Sequence, residues 1–145
     1  MVKFQRIKWK IFSIIMVSIK ELFMKIYESA EDYLEAILMI QERKGNVHSI
    51  DIAEELQFSK ASVSIAMKKL RENGYIKMDK DGRITLLKPG EKIATRIYER
   101  HKTLTDIFVH LGVSPEVAQE DACKVEHDLS EETYSALKEF AKKIQ

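Results

Sequence analysis

One stretch of this chain constrains its fold more than any other. Residues 75–87 break an otherwise helical pattern with two short runs of β-type residues, Tyr75 to Asp79 and Arg83 to Leu87. Between them stands Lys80-Asp81-Gly82, and Asp-Gly is a strong hairpin-turn signal. Helix signals lie on both sides. Upstream, a helix is expected over Ser29–Arg43, with Ser29 as cap, Asp32 three residues on, and Leu34, Ile37, Leu38 and Gln41 on one face; Gly45-Asn46 stops it. Ser49 is expected to cap a short helix, Ile50–Leu56. Gln57-Phe58-Ser59 reads as a tight turn, and Ser59 as the cap of Lys60–Asn73, which Gly74 ends. Helix, short helix, tight turn, helix, hairpin is the order of a winged helix-turn-helix.

Downstream, Lys88-Pro89-Gly90 reads as a boundary. A long helix is expected from Glu91 to about Leu111, striped by Ile93, Ile97, Tyr98, His101, Leu104 and Phe108. Another runs from Ser114-Pro115-Glu116 to Asp128, and a last one from Ser130 to about Lys143. The expected fold is mostly α with a small β-hairpin wing. The domains are a winged helix-turn-helix at 24–88 and a helical unit at 89–145, preceded by an extension at 1–23. In that extension Lys3, Arg6, Lys8 and Lys10 precede an apolar run, Ile11 to Ile19, too short for the roughly 20 residues of a bilayer span. Phe4, Ile7, Ile11, Ile14, Ile15, Ile19 and Leu22 fall at helical spacing. The segment reads as an extra helix packed on the domain, as an upstream extension with Met24 the functional start, or, least of the three, as a membrane anchor.

The formal net charge of the 145 residues is only +1. That total conceals a division. Residues 1–88 carry 16 Lys and Arg against 12 Asp and Glu; residues 89–145 carry 8 against 11. A modest basic excess around a helix-turn-helix suffices to steer it to DNA phosphates. Ser59, Lys60, Ala61, Ser62 and Ser64 crowd the start of the third helix, where small polar residues permit close approach and the helix N-terminus offers free N–H groups. Lys68 follows on that helix, and Lys80 and Arg83 flank the hairpin tip. The plain alternative is that the serines only cap and the lysines only solvate.

The acidic half contains Cys123-Lys124-Val125-Glu126-His127. On a helix, Cys123, Glu126 and His127 share one face within about 100° of arc, away from the stripe of Ala118, Ala122, Val125 and Leu129. A thiolate, a carboxylate and an imidazole converging there suit a first-row transition metal. The plain alternative is a surface helix with an incidental thiol. Remaining coordination positions could be filled by Asp32 and Glu35, at i, i+3 on the first helix, or by His101, which could equally be a hydrogen-bonded core residue. The single cysteine excludes an intrachain disulfide and fits a reducing cytoplasm. No general base, nucleophile or phosphate-loop motif accompanies these residues, so an enzyme is not expected.

From Ser29-Ala30-Glu31-Asp32-Tyr33-Leu34-Glu35, through the helix-turn-helix, to His101 and Cys123-Lys124-Val125-Glu126-His127, the chain resembles the diphtheria-toxin-repressor and manganese-transport-regulator family. The resemblance covers about residues 27–140. It implies a cytoplasmic, homodimeric repressor that binds a near-palindromic double-stranded operator, uses Mn(II) or Fe(II) as corepressor and controls metal homeostasis genes, without membrane association. It implies six ligands: Asp32, Glu35, His101, Cys123, Glu126 and His127. Asp32 and Glu35 follow the manganese branch, whereas Cys123 stands where that branch has a carboxylate and the iron branch a cysteine. Zn(II), Co(II) and Cd(II) are then plausible occupants in vitro. Thr105 and Gln119 stand where the iron branch has ancillary ligands, so that second site is expected to be missing, as is the SH3-like third domain. The rival reading is a winged-helix regulator of another signal, such as an organic ligand or oxidation of Cys123.

Overall fold

The computed structural model describes the backbone of residues 2–145, and the side chains from residue 10 onward except those of 21 and 23–27. Eight elements follow in order: α1 (Val2–Lys44), α2 (Ser49–Leu56), α3 (Lys60–Glu72), β1 (Ile76–Met78), β2 (Ile84–Leu86), α4 (Lys88–His110), α5 (Pro115–Val125) and α6 (Glu131–Ile144). The mostly helical, winged arrangement matches expectation. The chain divides into two compact units, Met1–Ala30 and Glu31–Gln145.

In the first unit, Ile11, Ile14, Ile15, Ile19 and Leu22 are exposed. The side chains of Phe4, Ile7 and Met24, on which part of the reading of this segment turned, lie outside the described residues. Among those described, no helix is long and apolar enough to cross a membrane.

Ser29 does not cap a helix. It lies inside α1, because residues 2–44 contain no proline or glycine to break the run. Gly45, at φ 85°, ends it as expected. The buried face is Tyr33, Leu34, Ala36, Ile37 and Ile40, while Gln41 is exposed and Leu38 only half-buried. The cap of α2 also moves by one residue. His48, not Ser49, is the N-cap, since the Asp51 carboxylate accepts its backbone N–H at 2.8 Å and is itself paired with Lys44. Ser59 does cap α3, accepting the N–H of Ser62 at 3.1 Å. Ser130 caps α6 through Thr133 N–H, whereas Ser114 occupies the α5 cap position without a side-chain bond.

The strands are shorter than expected, with Ile76 opposite Leu86 and Met78 opposite Ile84. Asp79 leaves the ladder because its Oδ1 accepts the N–H groups of Asp81 and Arg83, both at 2.9 Å, and so shapes the tip. Ile84 N–H donates to Val47 O at 2.8 Å, fixing the wing to the segment before α2.

At Lys88-Pro89-Gly90 the long helix starts earlier than the expected Glu91. These residues form the first turn of α4, where proline needs no N–H partner. Gly90 is buried there, and a Cβ on it would lie 2.2 Å from the carbonyl oxygen of Tyr75. Gly90→Ala should therefore lower stability by about 1–3 kcal/mol, the usual cost of forcing packed backbones apart; an unchanged urea midpoint would contradict this. The buried stripe of α4 is Ala94, Ile97, Arg100, Leu104 and Ile107, rotated from the expected one, so Tyr98, His101 and Phe108 sit at its edge. The helix packs on α5, α6 and β2.

Candidate metal centre

The second unit gathers side chains from α1, α4, α5 and the turn after α5. The helix expected to reach Asp128 ends at Val125, so Glu126 and His127 lie in a turn beyond it. Val125 is exposed rather than part of an apolar stripe. Cys123 remains on α5.

All six expected ligands converge. Ligand atoms of His101, Cys123 and Glu126 lie within 4.8 Å of one another, as do those of Asp32, Glu126 and His127. Glu126 belongs to both groups and is fully buried. Its Oε2 is 2.9 Å from His101 Nδ1, and its Oε1 is 3.5 Å from His127 Nε2. His127 Nε2 lies 2.8 Å from Asp32 Oδ1. The sixth, Glu35, is buried and shares a hydrogen bond with the Glu126 carboxyl.

The electrostatics are those of too many acids in one place. Burial, then the neighbouring Glu126, pushes the Glu35 carboxyl up to about 9. The Cys123 thiol is pushed up to about 12, first by burial and then by Glu126, Asp32 and Glu35. Although the residue as a whole is exposed, its sulfur is turned toward these carboxylates. For His127, burial lowers the pKa, but the Asp32 and Glu31 carboxylates beside the ring outweigh it and raise the imidazole to about 10.

Among the described residues, Glu35 Oε1, Glu126 Oε1 and His127 Nε2 are buried without a hydrogen-bond partner; Asp32 lies near that nitrogen but off hydrogen-bond alignment. Buried acceptors normally find donors. Carboxylate oxygens and an imidazole nitrogen that lack them, with a thiol sulfur alongside, fit a divalent cation.

Three supporting residues escaped the sequence reading. Glu31 is buried and bonds both Arg96 and His127, each at 2.9 Å. Arg100, only 2% exposed, donates to the carbonyls of Glu126 (3.1 Å) and Leu129 (2.8 Å). It also pairs with Glu131 and lies over the Tyr134 ring, 4.9 Å from its centroid. The available signal was a charged residue on an apolar stripe, between Ile97 and Leu104.

The residues expected to face DNA do not join this cluster. Ser59, Lys60, Ala61, Ser62, Ser64 and Lys68 are exposed on or just before α3, and Lys80 and Arg83 are exposed at the wing tip.

A winged helix-turn-helix followed by a helical unit bearing such a centre defines a class, the metal-dependent transcriptional regulators. Residues 25–84 match the N-terminal DNA-binding domain of the iron dependent repressors, and residues 88–145 match their metal binding and dimerisation domain. The chain belongs to that family. It is 36% identical over 116 residues to the transcriptional regulator MntR of Escherichia coli O157:H7, covering 80% of this chain and 75% of that protein. It is 37% identical over 120 residues to an uncharacterized HTH-type transcriptional regulator of Methanocaldococcus jannaschii, covering 81% and 96%. A solved manganese-dependent transcriptional repressor in complex with manganese superposes with a TM-score of 0.71 at 27% identity, over 78% of this chain. The chain spans about half of that structure, 52%. These relatives are transcriptional regulators, not enzymes.

Proposed function

We propose that this protein is a cytoplasmic, homodimeric repressor of metal homeostasis genes. On this reading Mn(II) or Fe(II), held by Asp32, Glu35, His101, Cys123, Glu126 and His127, favours binding to a near-palindromic operator. The observation that carries the reading is the set of buried, donorless ligand atoms drawn from α1 and from the turn after α5. Asp32 and Glu35 stand on the helix that leads into the winged unit at 24–88; His101, Cys123, Glu126 and His127 belong to the helical unit at 89–145. A bound divalent ion supplies a positive charge that neutralises the carboxylates and links the two units. The chain's own residues supply the rest. Glu126 joins the two groups, and Asp32 and Glu35 present α1 to them. Holding α1 in one placement selects one spacing of the two α3 helices of a dimer, an equilibrium shift through differential affinity.

Five of the six donors are oxygen or nitrogen, which suits Mn(II) or Fe(II); the Cys123 sulfur extends the range toward Zn(II), Co(II) and Cd(II). Thiol oxidation at Cys123 is the weaker reading, because a thiol held near 12 offers little thiolate to an oxidant.

Operator binding measured with Mn(II) and again with chelator tests this, and equal affinities would sink it. Ser62→Glu supplies the complementary arm. Glu at the third position of α3 suits a Ser59 cap and should leave the fold intact. It places a negative charge where phosphate approaches. DNA affinity should fall about tenfold or more, from the roughly 1–3 kcal/mol of a lost contact, with Mn(II) affinity unchanged.

A further inference from the structure

We propose that Glu31 is a positioning residue of the metal centre, anchored by Arg96, and that it fixes which nitrogen His127 presents. The proposal rests on the reading of His127 as a ligand. Glu31 and Asp32 are consecutive on α1, about 100° apart around the helix, and they grip opposite edges of one imidazole. Glu31 Oε2 takes the Nδ1 edge at 2.9 Å, and Asp32 Oδ1 faces the Nε2 edge at 2.8 Å. With Nδ1–H donating to Glu31, Nε2 is the nitrogen left facing Asp32 and Glu126. That is the nitrogen without a hydrogen-bond partner.

A carboxylate behind a metal-binding histidine fixes the tautomer and ring orientation and raises ligand basicity. Glu31 is itself held. Its other oxygen accepts from Arg96 Nη2 at 2.9 Å, and Arg96 is on α4. The carboxylate is 7% exposed, whereas the Arg96 side chain is 40% exposed. So α1, α4 and the turn after α5 meet at one buried carboxylate that is not itself in either ligand group.

The test uses the full chain and Glu31→Gln, with Arg96→Met as a second variant that removes a half-exposed side chain and leaves the buried carboxylate in place. Mn(II) affinity is read from the magnetic resonance signal of the free ion, and melting temperature is read in chelator. Co(II) addition reports the Cys123 thiolate through its charge-transfer band. Glu31→Gln should weaken Mn(II) binding by about 10–100-fold, lower the chelator melting temperature modestly through its lost pairs with Arg96 and His127, and keep the Co(II)–thiolate band. Arg96→Met should weaken binding in the same direction, by less; should Glu31→Gln fail to fold, this variant decides alone. Unchanged Mn(II) affinity in the folded variants would overturn the proposal. So would a lowered melting temperature with unchanged affinity, the signature of a salt bridge that only supports the fold. Failure of the metal reading itself would look different: the parent chain would show no saturable Mn(II) binding, and the proposal would fall with it.

Discussion

Glu126→Gln should abolish the response of DNA binding to metal while leaving the metal-free fold at least as stable as the parent. Glu126 is fully buried and belongs to both ligand groups, so its loss strikes both. Glutamine has nearly the same shape, and its amide can still meet His101 Nδ1 and the Glu35 carboxyl. It carries no charge, and it offers one acceptor oxygen instead of two. Outer-sphere partners alone are worth about 10–100-fold in metal affinity, so a ligand common to both groups should cost on the order of 100-fold or more. In the absence of metal the same change removes the buried negative charge of Glu126, beside which Glu35 has to keep its proton. Calorimetric titration with Mn(II) and thermal melting in chelator measure the two effects. Retained metal-dependent DNA binding would refute the ligand assignment; a large loss of chelator stability would refute the account of the acidic cluster.

Raising the pH should destabilise the metal-free protein and tighten metal binding. The Glu35 carboxyl titrates near 4.5 when unfolded and about 9 when folded. Between those values the folded chain holds a proton that the unfolded chain gives up, so stability falls as pH rises. His127 acts in the same sense. Its stabilisation is complete below 6.5 and is lost as pH climbs through about 10. If Glu35, His127 and Cys123 are ligands as proposed, metal requires their deprotonated forms, so binding near pH 7 should release protons and its affinity should climb with pH. Melting temperature in chelator should therefore decline from pH 5 to 9, and the gap between chelator and saturating Mn(II) should widen. Titration in buffers of different ionisation enthalpy counts the released protons. A gap independent of pH, with no proton release, would count against this.

The winged architecture was legible because turn chemistry announces itself. Gly45, Gly74 and Gly82 all take positive φ where the reading placed stops and turns. Errors arose where a residue type serves two purposes. Ser29 looks like a cap but lies inside a 43-residue helix, since nothing in the neighbouring sequence stops it. Lys88-Pro89-Gly90 looks like punctuation ahead of a helix that begins at Glu91, yet proline is at home in a first turn, so α4 begins at Lys88, and the glycine is required by contact with Tyr75 O just before β1. The six expected ligands come together because each kept its spacing, even though Glu126 and His127 lie past the end of α5. Glu31, Arg96 and Arg100 were not legible. Their partners are 96, 65 and 26 to 31 positions away, and a single buried charge at such separation leaves no periodic trace.

Arg100 has one further consequence. Its guanidinium bonds to the backbone of Glu126 and Leu129, so the turn bearing two of the expected ligands is shaped by α4 and not by whatever cation arrives. A wall of fixed outline filters its guests by radius and preferred coordination polyhedron, not merely by how strongly they attract donors. Discrimination among divalent ions then becomes a property of the scaffold's stiffness. Loosening that wall should broaden the range of ions accepted before it lowers the affinity for any one of them.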